Sequence, residues 1–431
     1  MSNRLQVGID FSQKGADFCL MFPDGQPLEP HQAFDNSSSG YTAAKQLLLN
    51  ALDNHQFDGL DISGEATGYY WLPFFLQLAA DPDLARHDAR LFVLNPRWVS
   101  WFKKCFAQDD KCDEKDPYYI AERTRTSRPR VAWSPQMNIL ALRFYTRCRF
   151  HLIQNLAREK CYFSAYLFLK ASAYRCVKPF SDIFGHTSRL VLTQEPSLDD
   201  LAALPVHDLA QHLHELSGHH LRDCLDNAHK LQRAAEESFT LDPILAVPVQ
   251  RILDLTLAHI RFLEDQVQQV DAWIAAEVSS QPAILQLTTI PGIGPVFSSG
   301  LGAEIGHTQR FLQGTKWDKR RKKHRPRNLR DAEDAVAKLA GLWWPRADSG
   351  GFEAEDRRLA KTGNRYLRYY LIQAADKMRQ HIPDYADFYA GKYRQASKYK
   401  HKRALVLTAR KSVGLVVGLL HRNESYRSKE N

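Results

Sequence analysis

A chain of 431 residues is long enough for two or three domains, each burying its own core, so one small domain is excluded. Hydrophobic residues make up 44% and charged residues 25%, near the globular average, and no apolar run approaches the roughly 20 residues of a membrane span. A formal net charge of +9 points toward polyanionic partners, and the expectation is a soluble protein without a membrane partner. MSNRLQVGID passes straight into a strand pattern without the apolar segment of a secretory signal, so a cytoplasmic location is expected. Seven scattered cysteines, none at C-x-x-C spacing, argue for reduced thiols rather than a disulfide framework or zinc knuckle.

In chain order, residues 4–11 (RLQVGIDF) read as a strand, and 16–22 (ADFCLMF), PDGQ and 27–34 (PLEPHQAF) read as a hairpin adding a third. TAAKQLLLNAL at 42–52 is helical, LDIS at 60–63 is a strand leading into GEATG, and RLFVLNP at 90–96 supplies another. Three strands, a helix, a strand, a helix and a strand is the order of the ribonuclease H-like fold. That domain is placed at 1–130.

In such a sheet, a carboxylate on the first strand, one after the fourth and others on a later helix converge on divalent metal. Asp10 in VGIDFS and Glu65 in SGEATG occupy the first two places. The stretch QDDKCDEKDPYYIAER, 108–123, is expected to supply the rest: it carries five acids, Asp109, Asp110, Asp113, Glu114 and Asp116. Like charges this close repel, so the segment is either a solvated loop or the holder of a cation. Asp113 and Asp116 lie three apart and share a helix face, whereas Glu114 points elsewhere. Asp116 also precedes Pro117, the arrangement of an N-cap followed by proline at the first helical position. Both roles stay open, since one carboxylate oxygen can cap while the other ligates. Hard oxygen donors suit Mg²⁺, and four carboxylates suffice for two ions.

From about 135 to 285 the pattern is helical. Leu253, Leu257, Ile260, Leu263, Val267, Val270 and Ile274 recur at steps of three or four along one face. That seam fits either a coiled coil or a helix packed within its own chain.

The third segment opens with LTTIPGIGPVFSSGLGAEIG, 287–306, where IPGIGP resembles the hairpin of a helix-hairpin-helix motif; Gly292 and Gly294 would let backbone N–H groups approach a DNA phosphate. Between Lys316 and Arg330, nine Lys or Arg stand against one Asp; Lys316, Arg320, Arg321, Lys322, Lys323 and Arg325 are candidate nucleic-acid contacts, a solvated basic loop being the alternative. A helix ending near Leu339 follows, then AGLWWPRADSGG and KTGNRYLR. The tail, Lys392 to Arg410, is basic with interleaved tyrosines that offer stacking partners.

VGIDFSQKG also resembles the opening strand of actin-like ATPases and sugar kinases, but the glycine-rich phosphate loops they require are not found between 60 and 285. Together, VGID, SGEATG, KCDEKDPYYIA, IPGIGP with AEIG, and AGLWWP with DSGG and KTGNRYLR resemble the DEDD-type insertion-sequence transposases, the bridge-RNA-guided recombinases, over about 1–125 and 285–375. The resemblance implies a DEDD domain similar to the Holliday-junction resolvase RuvC at 1–130, a helical coiled-coil connector at 131–285, and a mainly helical transposase domain with a nucleophilic serine at 286–431. It assigns the metal-binding set to Asp10, Glu65, Asp113 and Asp116, and the nucleophile to Ser349. Arg346, Lys361 and Arg365 become candidates for stabilising charge on the phosphate, ordinary phosphate positioning being the alternative. Mg²⁺, a structured guide (bridge) RNA, donor and target DNA, and a homo-oligomer (dimer or tetramer) whose subunits share the site are likewise implied. The sequence departs from the family pattern at Pro117, where alanine is common, and in the 316–330 block, which looks like an insertion. A metal-dependent junction nuclease without serine chemistry, or a non-catalytic nucleic-acid-binding protein, is the alternative reading.

Overall fold

Five strands form one sheet in the order β3-β2-β1-β4-β5: β1 Arg4–Phe11, β2 Gly15–Met21, β3 Pro27–Asp35, β4 Gly59–Glu65 and β5 Ala89–Leu94. β1 to β3 run antiparallel, whereas β4 and β5 join parallel on the other side of β1. A parallel neighbour needs a crossover, which the helix Ser38–Asn54 provides. This helix starts four residues before its predicted span because Ser37 caps it, its hydroxyl accepting the Gly40 N–H at 3.1 Å. The computed structural model describes all residues except 1–2, 107–112, 128–130, 194–197, 319, 346–347, 350–351, 354–358 and 429–431; at 113, 193, 198–199, 201, 348–349 and 352–353 it describes the backbone alone.

The chain divides into two compact units, each discontinuous in sequence. One comprises 1–140, 305–363 and 410–422; the other comprises 141–304, 364–409 and 423–431.

In the first unit, alternation along β1 sends Leu5, Val7, Ile9 and Phe11 into a core shared with Phe18, Leu48, Ile62, Phe74 and Phe75. Each fully buried side chain of this kind contributes roughly 1.5–3 kcal/mol relative to exposure. The opposite face is covered by the helix Asp116–Ser127, and its packing is unusually close at Gly8. A Cβ at Gly8 would lie 2.0 Å from the Pro117 carbonyl oxygen and 2.5 Å from the Ala121 nitrogen, so only glycine lets the helix lie directly on β1.

Later in this unit the basic block forms an antiparallel ribbon rather than a loop, with β6 Thr315–Asp318 paired to β7 Lys323–Pro326. The helix Leu329–Leu339 follows, ending where the sequence predicts, with Asn328 and Asp331 forming a capping box. The short strands β8 Asp348–Ser349 and β9 Phe352–Glu353 pair antiparallel.

The second unit is helical. Its two longest helices, Met137–Lys170 and Pro243–Val278, run antiparallel: Tyr145 meets Trp273 with ring centroids 5.8 Å apart, Arg149 pairs with Asp271 at 2.5 Å, and Glu159 faces His259 at 3.6 Å. All seven seam residues predicted on the second helix are buried, and Leu253, Leu257 and Ile260 join one core with Phe163 and Leu167 of the first. The seam is therefore closed within one chain, the second of the two packings it permits. Two helices, Pro243–Val278 and Lys400–Arg422, are nonetheless long and apolar enough by length and composition to cross a membrane, which corrects the expectation that no segment qualifies. The apolar residues that raise the average on Pro243–Val278 lie on both sides of the helix: Leu253, Leu257 and Ile260 are buried, whereas Ile244, Leu245, Val247, Leu255 and Phe262 are exposed.

The six described cysteines are free thiols, and Cys112 lies outside the described residues.

Candidate functional site

Asp10 follows Gly8 by two residues on β1, so both face the helix Asp116–Ser127. The parallel register pairs Gly8 with Ser63 and Ile9 with Gly64, which brings Glu65, at the end of β4, onto the same face beside Asp10. Asp116 is the first residue of the covering helix, with Pro117 at the second position, where the missing N–H removes no helical bond. Three elements thus bring three carboxylates to one edge of the sheet. The close approach at Gly8 sets the height at which Asp116 enters.

Electrostatics agree with that convergence. Burial, reinforced by the negative charges of Asp116 and Glu65, pushes the Asp10 carboxyl up to about 6. One positive group opposes them: Lys103, at the end of the helix Pro96–Lys103, places Nζ 2.6 Å from Asp116 Oδ2 and lowers the Asp10 pKa in turn. Glu65 Oε1 accepts the Thr67 hydroxyl at 2.8 Å. Among the described residues, no group of three or more His, Cys, Asp or Glu side chains closes to metal-holding distance. The donor set is nevertheless made of hard carboxylate oxygens that fit a divalent ion, and one protein ammonium sits among them.

The backbone of Asp113 opens a 3-10 turn, Asp113–Lys115, that runs into the Asp116 helix; its side chain, with Asp109 and Asp110, lies outside the described residues. Lys103 carries no signal in the sequence, because a lysine ending a short amphipathic helix is ordinary there; only its distance from Asp116 singles it out.

Ser349 ends β8 opposite Phe352, its side chain outside the described residues, as is all of Arg346. Lys361 adopts a left-handed backbone, φ +50°, two residues before Gly363, where a Cβ would lie 2.4 Å from the Leu339 oxygen. In the second unit, Arg365 begins the helix Arg365–His381, capped by Asn364, and its guanidinium lies 4.9 Å from the Tyr366 ring centre. Nearby, buried Glu304 binds Arg147 through two contacts of 2.6 and 2.9 Å and accepts Asn364 Nδ2 at 2.6 Å. That network fixes the start of the Arg365 helix.

Gly292 turns with φ +84° against His381, whose Cδ2 would be 2.5 Å from a Cβ there, whereas Gly294 faces open space. Of the two tail tyrosines, Tyr399 is 77% exposed, and Tyr393 is 41% exposed with Lys400 Nζ 5.9 Å from its ring centre.

Residues 7–169 match the family model of the IS110 DEDD transposases, described as a transposase, and residues 324–390 match one described as the transposase IS116/IS110/IS902 family. The first span contains Asp10, Glu65, Asp113 and Asp116; the second contains Ser349, Lys361 and Arg365. No curated protein matches the chain.

Proposed function

Because the chain belongs to the IS110-type DEDD transposases and is a DNA transposase, we propose that it cleaves and rejoins donor and target DNA through Asp10, Glu65, Asp113, Asp116 and Ser349, directed by a structured guide RNA. The observation that carries this reading is the convergence of Asp10, Glu65 and Asp116 from β1, β4 and the covering helix, inside the span the DEDD model matches. The sheet order β3-β2-β1-β4-β5 supports a ribonuclease H-like, RuvC-like domain at 1–130, followed by a helical connector at 131–285 and a transposase domain at 286–431.

Asp10, Glu65, Asp113 and Asp116 would hold one or two Mg²⁺ ions, which when bound supply Lewis-acid stabilisation of phosphate charge. Asp10 contributes an oxygen in a partly desolvated position. Lys103 neutralises part of the carboxylate repulsion. Ser349 Oγ gives up its proton and attacks phosphorus: the Oγ–P bond forms, one P–O ester bond breaks, and the departing DNA oxygen takes up a proton as a hydroxyl, leaving no net change in protons. The phosphoserine ester retains the bond energy, so a second DNA hydroxyl reverses the step and reseals a strand without ATP. Lys361 and Arg365 provide positive charge for phosphate oxygens.

Incubating the protein with RNA, target DNA and Mg²⁺ and then isolating DNA-linked protein tests the assignment. A covalent adduct is expected from the native chain and none from Ser349→Ala. An adduct surviving that substitution rejects the serine. Cleavage that survives Ser349→Ala but disappears in Asp10→Asn identifies a junction nuclease instead.

A further inference from the structure

The two faces of the β6–β7 ribbon do different things. Lys316 and Arg325 stand directly opposite each other on one face. Both reach the same buried carboxylate on the following helix: Lys316 Nζ donates to Asp331 Oδ1 at 2.7 Å and Arg325 Nη1 to Asp331 Oδ2 at 2.6 Å. These two cations are anchors. One step along the strands, Trp317 and His324 form the opposite pair on the other face, with ring centroids 5.2 Å apart and planes at 67°. Trp317 is 51% exposed, and His324 is exposed beside it. At the tip, Asp318 Oδ1 accepts the backbone N–H groups of Arg320 and Arg321 at 3.0 and 3.2 Å, and Lys322 adopts φ +47°. The Asp318 carboxylate thus engages backbone N–H groups of the tip, and the Arg320, Arg321 and Lys322 side chains are exposed.

An exposed indole held rigid by a cross-strand partner, at the base of a cationic tip, matches the chemistry of a nucleotide whose base is unstacked. A double helix buries its π-faces and shows a ribbon only base edges, which call for hydrogen-bonding side chains. An unpaired base presents a π-face that any aromatic ring can stack on, while its flanking phosphates attract arginine and lysine. We propose that the ribbon binds unpaired nucleotides, with a base on Trp317 beside His324 and flanking phosphates on Arg320, Arg321 and Lys322. This rests on the reading of the chain as a nucleic-acid-directed transposase. It also separates the basic block by role, since Lys316 and Arg325 hold the ribbon in place.

The test uses the full chain and fluorescence anisotropy with a labelled 20-nucleotide oligothymidylate, an oligouridylate of equal length and a 20-base-pair duplex, at fixed salt. Trp317→Ala is expected to weaken single-strand binding about tenfold, the size of one lost base stack, with less than about a twofold change on the duplex, and Trp317→Phe to retain most of it. A double Arg320→Ala, Arg321→Ala variant is expected to reduce the salt dependence of single-strand binding by about 1.4 in log–log slope. Greater loss on oligouridylate assigns the strand to RNA, greater loss on oligothymidylate assigns it to DNA, and either supports the site. Native protein that binds all three probes but is unmoved by Trp317→Ala, or loses equal affinity for duplex and single strands, overturns this inference alone. Native protein that binds none of them overturns the nucleic-acid reading as well.

Discussion

Lys103 Nζ lies 2.6 Å from Asp116 Oδ2, and the same ammonium lowers the pKa of Asp10 across the site. A protein cation therefore stands among the carboxylates assigned to metal. A lysine there holds the acids together when metal is absent and opposes an entering divalent ion. Replacing Lys103 with methionine is expected to tighten Mn²⁺ binding about fivefold, or about 1 kcal/mol, while lowering the melting temperature of the metal-free protein. Calorimetric titration with Mn²⁺ checks this; affinity that stays equal or weakens removes Lys103 from the site.

Asp10 is held in a place that disfavours its charge. Its carboxyl is raised to about 6 by burial and by Asp116 and Glu65, so the folded state holds a proton that the unfolded chain releases nearer 4. The contribution of Asp10 to metal-free stability is consequently present below about pH 4 and is lost as pH rises to about 6. Asp10→Asn removes that penalty and is expected to stabilise the metal-free protein at pH 7.5 by about 1–2 kcal/mol, after allowance for solvent screening. Thermal melts with and without Mg²⁺ give the second half of the prediction: the ion raises the melting temperature of the native chain but not of the variant.

At Gly8 the closeness of β1 and the Asp116 helix can be tested with one methyl group. Gly8→Ala introduces a carbon 2.0 Å from the Pro117 oxygen, a backbone atom that cannot rotate aside. Overpacking of this kind costs about 1–3 kcal/mol, and relief by lifting the helix would move Asp116 away from Asp10. Lower stability together with loss of DNA cleavage is the expected result. Full cleavage activity in the variant would show that the helix height is unimportant.

Asp331 offers a pH test of the ribbon's anchor. The Arg325 guanidinium, aided by Lys316 and the Asn328 N–H, holds its carboxyl well below the usual carboxylate range. A depressed folded pKa means that the stabilisation is present above about pH 4 and is lost as pH falls toward the folded value. Asp331→Asn is expected to cost about 2–3 kcal/mol at pH 7 and to flatten the decline of stability below pH 4. Denaturant unfolding at pH 7 and pH 3 measures both; an undiminished acid dependence would place it in other groups.

Local pattern was enough for much of the architecture. Local strand patterns marked β1 to β5 in order, and steps of three and four marked seven of the ten buried residues on the helix Pro243–Val278. Asp10 and Glu65 could be picked out because one lies a residue before the end of its strand and the other ends its strand, where chain direction and a period of two place the side chain without knowledge of distant neighbours. The partner of a surface is a different matter, since periodicity says that a face will be covered but not by what. Long-range packing chose the Met137–Lys170 helix for the seam, set Lys103 beside Asp116, and pressed Pro117 onto Gly8. The basic block shows the same division: its charge was plain in the order of residues, but whether a given lysine or arginine anchors or reaches outward depends on which ribbon face it occupies. Asp331, approaching from the next helix, decides that for Lys316 and Arg325 and leaves Trp317 on the open side.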